Sequence, residues 1–439
     1  MHDISRPLFV FLLLLLCAFP ADAQTPRVTA VRAGALIDGT DGAVRRDALI
    51  VIRDGRISEV TEGGQPPAGA EVIDLSGWTV LPGLIDMHTH ITGDPSDGYA
   101  DRGLHETPGF AALRGAKNAR LTLLAGFTTV RNVGASEWAD VALKQAVEQG
   151  VVPGPRIFTA AHSIGITGGH CDENGFRPDL REEPDIRQGI ANGNDEVRAA
   201  VRYQIKYGAD LIKTCATGGV LSAGDAVGVQ QYSQEELETM VETAALAERR
   251  VAAHAHGLEG IKAAVRAGVA SIEHGSILDD EALRMMKQRG TYLVPTMMAF
   301  EYVVAGARSG KLAPWSAEKA LEIAPHARES VQKAIRAGVP IAFGTDAGVF
   351  PHGTNADEFR LLVGAGMRPR DAILSATREA AKLLGREGEL GTIQAGRHAD
   401  LIAVRGDPLA NVELLKEVGF VMKDGVVYKR EGEPVATIR

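Results

Sequence analysis

Three textures of hydrophobic patterning divide this chain. Residues 27–82 alternate apolar and polar positions in short runs (VTAVRAGALIDG, ALIVIRDGRISEVTE, AEVIDLSGWTVLPG), the period of half-buried strands. Asp54-Gly55 between two of these runs is a hairpin signal. Residues 389–431 repeat the texture, with Asp424-Gly425 as a second hairpin turn. The two ends therefore read as halves of one small β-sandwich, 24–82 and 386–439, with 83–385 inserted between them. That middle alternates apolar runs with amphipathic stretches. The runs at 83–90, 127–134, 155–162, 209–217, 251–256, 271–275, 291–297 and 340–348 predict eight strands. The stretch 233–250 predicts a helix that opens on Ser233-Gln234-Glu235-Glu236, a capping-box pattern. Alternating strands and helices imply right-handed βαβ units and a parallel sheet. Eight repeats predict an α/β fold, a (β/α)8 barrel with the small β-sandwich beside it.

The first residues have a different origin. Arg6 precedes an apolar run over 8–19, too short for a span of roughly 20 residues. Ala21-Asp22-Ala23 follows as a small-x-small cleavage pattern. Residues 1–23 are expected to be a signal peptide and the mature chain to be periplasmic or secreted, without a stable membrane anchor. Cleavage leaves Cys171 and Cys215, too few for a disulfide framework. Whether they pair is open. A formal net charge of −9 offers no case for nucleic acid as a partner.

Chemistry concentrates at the ends of predicted strands. His88 and His90 stand at i and i+2 and share a face. Lys213, His254, His256, His274 and Asp346 close four other runs. A barrel gathers strand ends into one mouth, so these residues form a candidate metal site. Neither HExxH nor CxxC is present, which excludes the common zinc-protease and structural-zinc patterns. Period-two geometry does not choose between His254 and His256. An ammonium has no lone pair, so Lys213 ligates only if CO₂ converts it to a carbamate; pairing with a carboxylate is the other reading. N and O ligands of this kind suit zinc, manganese, cobalt or iron.

VLPGLIDMHTH, KTCATGG, VAAHAHG, SIEHG and GTDAG occur in that order, and with them the chain resembles the amidohydrolase superfamily. Within it the similarity is greatest to the binuclear prolidase and carboxypeptidase group, which includes Xaa-Pro, Xaa-Lys and Xaa-Arg dipeptide hydrolases and ochratoxin amidohydrolases. The resemblance implies two divalent ions, zinc first among them. His88, His90 and Asp346 would hold one, His254 and His274 the other, with carboxylated Lys213 between. It implies attack on an amide carbonyl by metal-activated water, with Asp346 as the proton shuttle. The expected substrates are dipeptides or N-acyl amino acids cleaved before a C-terminal residue, ochratoxin A included. A homo-oligomer, as large as an octamer, is also implied. Loops 165–175 and 224–232 should lie over the mouth. There His170 and Tyr232 are expected to donate to a substrate carboxylate, with loop packing as the alternative, and His162 is a further candidate. His352 either lines the pocket or lies on the surface. Competing readings are a cyclic-amide or imidazolone hydrolase and a non-catalytic metal-binding protein.

Overall fold

The computed structural model describes residues 28–95, 105–180 and 182–435; the expected signal peptide lies outside them. Four strands come first: β1 (Val28–Leu36), β2 (Arg45–Arg53), β3 (Arg56–Glu62) and β4 (Glu71–Pro82). Asp54 and Gly55 join β2 to β3 with φ of 49° and 77°, the mirror-image turn whose twist matches that of paired strands.

Strands and helices then alternate: β5 (Leu84–Thr89), β6 (Phe127–Asn132), β7 (Arg156–Thr159), β8 (Ile212–Cys215), β9 (Val251–Ala255), β10 (Ser271–His274) and β11 (Tyr292–Val294). β5, β6 and β7 pair in parallel as one sheet, and β8 to β11 as another. Strands β5, β6, β8, β9 and β10 are buried at every position, as strands covered on both faces must be. The helix Gln234–Ala245 begins with the predicted box: Ser233 Oγ accepts from the Glu236 N–H, and Glu236 reaches back to the Ser233 N–H.

Hydrogen bonds cross both gaps between these sheets. The Ile164 N–H donates to the Lys213 carbonyl and the Cys215 N–H to the Ile164 carbonyl, tying the segment after β7 to β8. At the other gap, residues 340–347 bond to both neighbours. Leu293 N–H donates to Pro340 O and Ala342 N–H to Leu293 O, while Met87 N–H donates to Phe343 O and Asp346 N–H to His88 O. The eighth predicted strand is therefore in place but irregular, with isolated bridges at Ile341 and Ala347. Asp346 leaves the extended region with φ 64°. Gly344 lies so close to its neighbours that a Cβ there would fall 2.3 Å from Val294 Cγ1.

The chain ends in β12 (Leu401–Val404), β13 (Phe420–Lys423), β14 (Val426–Arg430) and β15 (Glu433–Pro434). β12 pairs with β4, so both ends of the chain share one eight-stranded sheet, ordered β15-β14-β13-β12-β4-β1-β2-β3. The predicted sandwich is thus a single continuous sheet. Bonds from the Ile57 N–H to Arg397 O and from the Ala399 N–H to Gly55 O bring its far edge back towards β12. Val31, Ile50, Ile57, Leu75, Leu401 and Phe420 belong to a core of its own. No helix among the described residues is long and apolar enough to cross a membrane.

Candidate active site

His88 and His90 leave the end of β5 with their rings fixed from behind. His88 Nδ1 lies 2.7 Å from Glu273 Oε2. His90 Nδ1 lies 3.0 Å from the Gly134 carbonyl. A carboxylate and a carbonyl can only accept, so each histidine carries its proton on Nδ1 and turns a bare Nε2 outward. Both Nε2 atoms lie 3.4 Å from Asp346 Oδ1. That oxygen is buried and has no hydrogen-bond partner. The three ligand atoms fall within 4.8 Å of one another. Three acceptors facing one another without a donor are costly to bury, and a cation is the chemistry that such a set fits. His88, His90 and Asp346 form a group that could hold a metal ion.

A second set adjoins it. The His274 ring centroid is 5.0 Å from that of His88 and 4.7 Å from that of His254. His274 Nδ1 is 2.7 Å from Thr296 Oγ1, and its φ of 71° swings the side chain off the strand line. His254 Nε2 is buried with no partner. His256 is placed differently: Nδ1 is 2.7 Å from Ser276 Oγ, and its ring stacks on His274 and abuts Phe300. The orphaned nitrogen belongs to His254, which separates the pair that strand periodicity leaves equivalent.

Burial governs the charges here. It holds His88, His254 and His274 well below the usual histidine range and His90 at about 4, so these rings are neutral at pH 7. Burial lowers the Lys213 ammonium to about 8 against the pull of Glu273 and Asp346. It raises Asp346 to about 7, with Lys213 opposing and Asp86 and Glu273 adding to the rise.

Supporting residues that no sequence motif announces sit directly behind. Glu273 accepts from Arg131 Nη2 at 2.7 Å and from Ser271 Oγ as well as from His88. Arg131 also donates to the Met87 carbonyl. Asp86 accepts from the His88 N–H, from Thr345 Oγ1 and from Asn355 Nδ2. The available signals were polar residues at i−2 on the same strands: Asp86 before His88, and Ser271 before Glu273.

The residues expected to touch substrate divide. The His170 ring stacks on His254 at 4.0 Å, beside the cluster. Tyr232 is 1% exposed, lies in the main core, and donates its hydroxyl to the Ala191 carbonyl at 3.0 Å. The expectation of a carboxylate contact for Tyr232 is thereby corrected: its polar end is already committed, and it packs. His162 accepts the Glu137 N–H at Nε2 and lies against Trp138, apart from the histidine cluster. His352 is buried rather than at the surface, and its Nε2 lies 3.2 Å from the His90 carbonyl. Cys171 and Cys215 form a disulfide with Cα atoms 5.8 Å apart, which pins the loop bearing His170 to the strand bearing Lys213.

Parallel strands alternate with helices, and histidines and an aspartate that could hold a metal ion meet where the strands end. The chain belongs to the Amidohydrolase family, whose profile matches residues 79–428. It is 36% identical to an ochratoxinase of Aspergillus niger over 434 residues, 94% of this chain and 89% of that protein. A crystal structure of a Xaa-Pro dipeptidase with bound methionine aligns with a TM-score of 0.89 and 43% identity, covering 92% of this chain and all of that one. A prolidase complexed with N-methylphosphonate-L-proline aligns at 0.86 with 34% identity, over 92% of this chain and 100% of that one. The protein is a hydrolase acting on amide or peptide bonds.

Proposed function

We propose that this protein is an exported binuclear amidohydrolase that cleaves the amide bond before a C-terminal amino acid, in dipeptides or N-acyl amino acids. Ochratoxin A, split to L-phenylalanine and ochratoxin alpha, falls within that class. The observation that carries the reading is the set of bare acceptors on His88, His90 and Asp346, in a chain 43% identical to a Xaa-Pro dipeptidase. The bonds across both gaps between the parallel sheets support a closed (β/α)8 barrel over residues 83–385, with 24–82 and 386–439 as one accompanying β-unit.

In this reading His88, His90 and Asp346 would hold one divalent ion, and His254 and His274 the other, with zinc the metal to test first. Lys213 would contribute as a carbamate, its neutral amine nitrogen bonding to CO₂ and losing a proton. Bound there, such ions supply an activated water and polarise the scissile carbonyl. Asp346 accepts the attacking water's proton and delivers it to the departing amine nitrogen. Glu273 and the Gly134 carbonyl hold the tautomers of His88 and His90 that leave Nε2 free. Cleavage of residues 1–23 and export fit the Cys171–Cys215 disulfide, a bond that persists in oxidising compartments.

The test is hydrolysis by zinc-loaded mature protein of a panel of Xaa-Pro, Xaa-Arg and Xaa-Phe dipeptides and ochratoxin A. Release of the free C-terminal amino acid supports the reading. No turnover of any member ends it.

A further inference from the structure

Lys319 is a charged residue on a buried stripe. It lies in the helix Pro314–Ala337 among Ser316, Ala320, Ile323 and Ala327, all buried, and its own side chain is only 13% exposed. An ammonium in such a place is costly unless each of its three protons meets an acceptor. Here each does. Nζ donates to Asp225 Oδ1 at 2.7 Å, to the Ser222 carbonyl at 2.8 Å and to the Gly219 carbonyl at 3.0 Å. The Trp315 ring flanks it, with its centroid 5.5 Å away. All three acceptors belong to the loop that follows β8, so one side chain from a helix far along the chain fastens that loop.

The loop passes this hold on to a second one. Asp225 is buried, and its other carboxylate oxygen accepts from the Gly219 N–H and from Gln231 Nε2. Gln231 Oε1 accepts in turn from the His170 N–H, in the loop over 165–175. The His170 ring also lies directly against the backbone of the first loop: a Cβ on Gly219 would fall 2.2 Å from His170 Cε1. That ring stacks on His254, centroid to centroid at 4.0 Å. Position is therefore transmitted from Lys319 through two loops to the edge of the histidine cluster. Loops at this end of parallel strands are the ones that meet substrate.

We infer that Lys319 is a positioning residue: it fastens the loops 219–231 and 165–175 in the arrangement that borders His254, and so acts on substrate binding and not on bond breaking. Its hydrogen-bond partners are loop atoms and not candidate ligands. The fastening stands on this geometry, whereas its consequence for substrate rests on the hydrolase reading above.

Amide hydrogen exchange and steady-state kinetics of zinc-loaded protein test it together. Lys319→Met keeps the length of the stem and removes the three donors. Exchange over 165–175 and 219–231 should quicken by about tenfold or more, with the parallel strands unchanged. KM should rise about ten- to hundredfold, the worth of a bond to a charged group, with kcat within about twofold. Should Lys319→Met fold poorly because Asp225 is left unpaired, Lys319→Met with Asp225→Asn removes both charges and is expected to give the same two changes. Loop exchange equal to wild type, a KM that does not move, or a loss confined to kcat overturns the inference. If no panel substrate is turned over, the hydrolase reading fails and the binding role with it, while exchange still decides whether Lys319 fastens the loops.

Discussion

Glu273 Oε2 stands 2.7 Å from His88 Nδ1, so the carboxylate immediately before one candidate ligand orients another ligand 185 residues earlier in the chain. Glu273→Gln would put an amide where Arg131, Ser271 and His88 all need an acceptor. The expected result is zinc affinity reduced about 10–100-fold, the usual cost of removing such a supporting carboxylate. Competition titration with a chelator measures it, and unchanged affinity would show that His88 needs no help from behind.

Asp346→Asn keeps the shape of the side chain and removes its proton-accepting role. We expect kcat to fall by about 10²–10⁴, the usual worth of a general acid–base group, with an unchanged circular dichroism spectrum. Steady-state kinetics on the preferred panel substrate decides it; a loss below tenfold would take Asp346 out of the proton path.

Tyr232→Phe separates packing from binding. The Ala191 carbonyl would lose its donor, a cost of about 1–3 kcal/mol in a buried setting, visible as a lower midpoint in thermal unfolding. KM should stay within twofold of wild type. A KM increase of tenfold or more would return Tyr232 to the substrate.

Glu358, outside the candidate ligand set, gives a pH test. It accepts from the N–H groups of Met297 and Met298 at 2.9 and 2.8 Å, completing the start of the helix Met297–Arg308. Burial raises its pKa to about 8, despite those bonds pulling it down. The unfolded value is about 4.3. Between the two, the folded chain binds more protons than the unfolded one, so this group's contribution to stability is full below pH 4 and is lost as pH climbs towards 8. Glu358→Gln cannot ionise. Its stability deficit relative to wild type should therefore be largest near pH 5 and shrink by pH 8 in thermal melts, and a deficit that grows with pH would refute the assignment.

What could be read from the chain beforehand was what depends on neighbours in sequence. His88 and His90 share a face because strands repeat every two residues. Ser233 and Glu236 cap a helix because they are three apart, and Asp54-Gly55 turns because both residues tolerate positive φ. Glu273 carries no such local signal because its partners, His88 and Arg131, come from strands distant in sequence. Tyr232 lacks one for the same reason: nothing local announces that Ala191 lies within reach of its hydroxyl. Alternation in residues 27–82 and 389–431 shows that faces are buried, but not that β4 and β12 pair into one sheet. The irregular eighth strand reflects the backbone at Asp346, which no pattern of apolar residues records.

Two of the cluster's side chains, His274 and Asp346, leave the backbone at φ 71° and 64°, a region that costs non-glycine residues on the order of 1–3 kcal/mol. If these residues act as proposed, heat tolerance and turnover pull against each other at these positions. Asparagine, which tolerates the left-handed region better, would ease the backbone at either place while weakening the proposed chemistry. A lineage selected for durability alone would be expected to decay first at the centre of this proposed site.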